Sequence, residues 1–149
     1  NNTGIENMKD VTTYIKRKYY QLLKPELAIP VFVDYVPNQL AADAYVLITS
    51  PSSVDVSTFN SVDTDTSVQL GIYTKQPIVN DDDIVGTAAQ VIFDTIYPDQ
   101  AALLDLTEFG FSKCGIDMVN DITPEALQTD SEIFINRFIT FRHSNIQHN

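Results

Sequence analysis

The chain has 149 residues and a formal net charge of −11, with nine Lys+Arg, one cysteine, two histidines and no tryptophan. That length predicts one domain with a core of its own. A single cysteine excludes an intramolecular disulfide and every cysteine-based zinc motif, and no apolar run approaches the ~18 residues of a membrane span.

The charge is segregated. Residues 1–30 hold five bases against three acids, residues 31–133 hold 17 acids against Lys75 and Lys113, and Arg137 and Arg142 return two positive charges near the end. Nucleic-acid binding as a main role needs clustered Lys/Arg to release counterions, and the acidic middle excludes it. The acidic balance reads either as plain solubility or, more sharply, as opposed charged faces suited to a protein that stacks against copies of itself.

In chain order, Ile5, Met8, Val11, Ile15, Tyr19, Leu22 and Leu23 fall at three- and four-residue spacing and predict a helix of about five turns. Thr3 with Glu6 fits a capping box, and Lys24-Pro25 ends the helix. Its other face, with Lys9, Lys16, Arg17 and Tyr20, is left for solvent or a partner. A strand is expected over 31–36, closed by Pro37-Asn38, and a second over 44–49, apolar throughout and read as covered on both faces. Residues 52–67 turn polar and read as a long loop or exposed hairpin arm. Val68, Leu70 and Ile72 then alternate with polar or smaller neighbours as a strand with one core face.

A second helix follows, with Asn80 as N-cap, Asp81, Asp82 and Asp83 in its first turn, and a stripe of Ile84, Ala88, Val91, Ile92 and Ile96 up to Pro98. Residues 101–106 read as a helical turn on the sheet edge. Phe109, Phe111, Ile116 and Met118 suggest a strand with a bulge near Gly115. Residues 124–128 read as a turn, 132–142 as a long terminal strand, and 144–149 as a polar tail. The order predicts one α+β domain over residues 1–149: a mostly antiparallel sheet with two main helices packed on one face.

Chemistry is scarce. Asp63, Asp65 and Ser67 mimic the opening of an EF-hand loop, but Val68 stands at its glycine and Thr74 at its bidentate glutamate. The three aspartates at 81–83 serve capping and the helix dipole rather than a metal. His143 and His148 lie at the polar C-terminus and read as solvated, Cys114 reads as buried and inert, and the five glycines form no phosphate-binding fingerprint. Paired carboxylates such as Asp105 and Glu108 could do acid–base work, but acids this abundant give no single pair weight. No enzyme, cofactor or metal is expected.

The same order of elements carries a resemblance. An amphipathic helix leads to a strand ending in Val36-Pro37, then AYVLITSP, a polar insertion, VQLGIYTK, the helix NDDDIVGTAAQVIFDTIY, and the aromatic strand IFINRFITFRH. Over roughly residues 8–142 this resembles the tail-terminator (tail-completion, minor tail protein) family of tailed bacteriophages, or a related ring protein of the head–tail neck. The resemblance implies a structural virion protein, assembled in the host cytoplasm, that closes into a hexameric or dodecameric ring. Its partners are then copies of itself and neighbouring neck, portal-adjacent or tail-tube proteins, with DNA only as cargo in a central channel and no membrane. An acidic lumen would repel phosphates, and ring closure needs two different patches. Lys16, Arg17, Arg137 and Arg142 are assigned to one patch and Asp63, Asp65, Asp81, Asp82 and Asp83 to the other, with Arg137 the leading residue. The competing expectation is a small acidic monomeric binding or inhibitory module, a DNA mimic or protein-docking domain.

Overall fold

A computed structural model of the chain describes residues 11–38, 40, 42–50, 64–78 and 82–146. Helix α1 (Val11–Leu23) leads to strands β1 (Val31–Val33), β2 (Ala44–Thr49) and β3 (Thr64–Pro77), then helix α2 (Ile84–Ile96). After it come β4 (Leu103–Asp105), a 3-10 turn (Thr107–Phe109), β5 (Lys113–Ile122), β6 (Leu127–Gln128) and β7 (Glu132–Ile146). The sheet runs β1-β2-β3-β7-β5-β4, with β6 also on β7. Among the described residues only β1 and β2 pair in parallel, and every other pairing is antiparallel. The fold is α+β, as expected.

Both helices lie on one face. Val11, Ile15, Tyr19 and Leu23 recur every four residues along α1 and are buried, as are Val85, Ala88, Ala89, Ile92 and Ile96 of α2. They pack on the inward residues of the central strands: Val46 and Ile48, Val68, Leu70 and Ile72, Ile139 and Phe141. The parities agree across the register, because Leu70 pairs with both Ile48 and Ile139. A one-residue slip would turn all of these to the opposite face. Leu23 closes α1 where Pro25 prevents another helical turn.

Several boundaries differ from the sequence expectations. β1 stops at Val33, because Asp34 takes a left-handed backbone (φ 68°), which aspartate tolerates better than most residues. Its carboxylate is held by Lys16 Nζ at 2.6 Å. β2 alternates buried and half-buried residues, so a single covered face replaces two. Residues 64–67 begin β3, whereas the expected arm over 52–63 lies outside the described residues, as do the capping box at Thr3 and Glu6 and the cap at Asn80. The cap of α2 is Asp83, whose Oδ1 accepts the Gly86 N–H at 2.8 Å, so Asp82 and Asp83 precede the first turn rather than occupy it.

Further along, residues 103–105 form a strand, not a helical turn, pairing with 113–115 along the sheet edge. The bulge falls at Val119, between the pairs Met118–Phe141 and Asn120–Thr140, rather than near Gly115. Leu127 and Gln128 form a short strand on Phe134 and Ile133 instead of a turn. β7 continues through Ile146, which is buried, so the polar tail starts later than residue 144.

Candidate functional site

His143, Tyr19, Cys114 and Asp105 are occupied structurally. His143 is fully buried, contrary to the expectation of a solvated side chain. Its Nδ1 donates to the Thr66 carbonyl at 3.0 Å, since a carbonyl can only accept. Nε2 therefore accepts the Tyr19 hydroxyl at 2.6 Å. Burial pulls the imidazolium down to about 4, and burial raises the Tyr19 phenol well above its ordinary range. Both groups stay neutral at physiological pH. Cys114 is buried and pushed up to about 12 by desolvation, so it carries no thiolate.

The two carboxylates of the pair take different hydrogen-bond partners. Asp105 accepts both the Thr107 hydroxyl at 2.6 Å and the Thr107 N–H at 3.0 Å, and those bonds lower its pKa, the opposite of a general acid. Glu108 accepts Lys18 Nζ at 2.8 Å. Among the described residues no three His, Cys, Asp or Glu cluster as metal ligands, and no helix is long and apolar enough to cross a membrane.

The residues assigned to subunit contacts fall as follows. Arg137 points to the helix-covered face, where Nε and Nη2 grip both oxygens of Asp121 at 2.8 and 2.6 Å and the guanidinium lies 5.9 Å from the Phe93 ring. That bidentate pair raises its pKa further and ties β7 to β5. Lys16 pairs with Asp34, and Arg142 faces Asp117 at 3.6 Å. Arg17 is exposed and lies over the rings of Tyr14 and Phe109. Asp82 and Asp83 are exposed before α2. Asp63 and Asp81 lie outside the described residues, and Asp65 is placed only as part of β3. The structure thus brings five of the described bases, Lys16, Lys18, Lys75, Arg137 and Arg142, onto acids of their own chain, and places Asp83 within electrostatic reach of Arg137.

The feature that sequence reasoning missed is an uncovered strand extension. Every residue from Asp117 to Ser131 is exposed, although Arg137 shields the carboxylate of Asp121. Within it stand Met118, Val119, Ile122 and Leu127, the last 72% exposed. The sequence signal was faint: single apolar residues, without period, in a polar stretch around Pro124. The sheet face away from the helices is also aromatic. Phe32, Tyr45, Tyr73 and Phe138 touch in series, with Tyr45 and Tyr73 stacked at 5.0 Å between centroids. Gly71 makes room for that stack, since a Cβ there would come within 2.7 Å of the Tyr73 ring. These four rings are half-buried, whereas the apolar side chains of the extension are exposed, the kind of surface at which another macromolecule docks.

No protein-family model matches the chain, and no curated protein matches it. Among solved structures 21 chains match. One of them superposes with a TM-score of 0.56 over 91% of this chain and 96% of its own length, at 10% identity. That likeness extends to the fold.

Proposed function

We propose that the chain is a structural virion protein, a ring-forming component at the head-proximal end of a phage tail or in the head–tail neck. The observation that carries this reading is the extension at 117–131, which presents four large apolar side chains on a sheet margin that the chain's own helices leave bare. In the proposed particle, copies close into a hexameric or dodecameric ring and neighbouring neck or tail-tube proteins cover what remains. DNA passes through a channel whose acidic walls do not hold phosphate. The chemistry fits an assembly role, because His143, Tyr19, Cys114 and Asp105 are each engaged in holding the fold.

The monomeric acidic module is the second reading. It draws support from the internal pairing of the bases, which leaves the acid excess outward. Native mass spectrometry across a concentration series separates the two. The ring reading predicts a closed species of six or twelve copies, and a monomer at every concentration would overturn it.

A further inference from the structure

Among the described residues β1 is an outer strand of the sheet, paired on one side only. The Pro30 carbonyl accepts from Val46 N–H and Asp34 N–H donates to the Ile48 carbonyl, both at 2.9 Å. By the alternation of a parallel ladder, the amides of Val31 and Val33 then face away from β2. Around this edge lies an open groove of about 320 Å³ lined by Tyr20, Val31, Phe32, Val33, Tyr35 and Pro37. Lys24 stands at its rim, its Nζ donating to the Tyr20 hydroxyl at 2.8 Å, and it makes no ion pair among the described residues.

The exposed extension is complementary. Leu127 is its most exposed large apolar residue, and Glu125 and Asp130 flank it, neither of them ion-paired among the described residues. β6, which holds Leu127, is separated from β1 by β7, β3 and β2. The chain's own extension and its own groove therefore lie on opposite sides of one sheet.

We infer that the β6 extension of one copy docks on the β1 edge of the next, Leu127 entering the groove and Glu125 or Asp130 meeting Lys24. The amides of Val31 and Val33 take up the incoming backbone, as in strand addition. The two patches differ, so the contact is heterologous and repeats head to tail. This inference rests on the ring reading and names the surfaces that such a ring would use.

Leu127→Asp removes the plug and Tyr35→Asp blocks the socket; both side chains are over 70% exposed, so both variants keep the wild-type circular dichroism. Sedimentation velocity then reads assembly. Each variant alone should associate about a hundredfold more weakly than wild type, as loss of a central anchor does. Mixed, they should form a one-to-one dimer and stop, since only one good plug and one good socket remain. Leu103→Asp, on the opposite edge strand, should assemble normally. If wild type assembles while both variants do so equally well, or if Leu103→Asp alone blocks it, the docking surfaces are wrong and the ring reading stands. Folded variants that stay separate on mixing would also overturn the docking. A monomeric wild type would overturn both.

Discussion

His143 joins the last strand to the first helix through two hydrogen bonds, to Tyr19 and to the Thr66 carbonyl, in a site without solvent. In the unfolded chain its imidazole takes up a proton near 6.5, whereas in the folded chain it does so only at about 4. Between those values the unfolded state holds the extra proton, so stability falls as pH drops through that window. The full loss is about 3 kcal/mol. Urea unfolding from pH 7 to pH 4 should show His143→Gln losing less stability than wild type by roughly that amount, whatever its starting value. Parallel curves would mean that the imidazole is not held neutral. Arg137 offers a second test at this scale. A double-mutant cycle with Arg137→Ala and Asp121→Ala should give a coupling of about 1 kcal/mol for a partly exposed bidentate pair. No coupling would free Arg137 for contacts outside the chain. At the start of α2, Asp83→Ala should cost about 1 kcal/mol through the lost cap, measured by the same unfolding assay.

The helices and central strands were legible because each buries one periodic stripe. Ile15, Tyr19 and Leu23 are four apart, and Val68, Leu70 and Ile72 alternate, so packing enforces what the pattern announces. The margins were illegible for a physical reason. β4 and β6 have three and two residues and are strands only because β5 and β7 pair with them, a relation with no local pattern. His143 was misplaced because polarity outweighed phase, although it follows Ile139 and Phe141 at the strand period. The same contrast governs mutation. Leu70→Ala, in the fully buried centre of β3, should cost about 2–5 kcal/mol, whereas Leu127→Asp on exposed β6 should stay within about 0.5 kcal/mol of wild type. A large loss for Leu127→Asp would show that the extension belongs to the core of the single chain.

At the scale of the whole molecule, an edge strand and an apolar extension lie on opposite sides of one twisted sheet, with the helices confined to one face. Edges left open in this way invite pairing with another chain, and two unlike patches repeat by rotation until they close or run on as a filament. Closure is what the proposed conduit for DNA requires, and the internal pairing of Lys16, Lys18, Lys75, Arg137 and Arg142 keeps five of the eight described bases from competing for phosphates. Electron microscopy of the purified wild-type chain gives the most direct test. Top-view class averages should show closed hexameric or dodecameric rings around a channel wide enough for duplex DNA. Particles no larger than one chain, or open filaments without closure, would contradict the proposed ring.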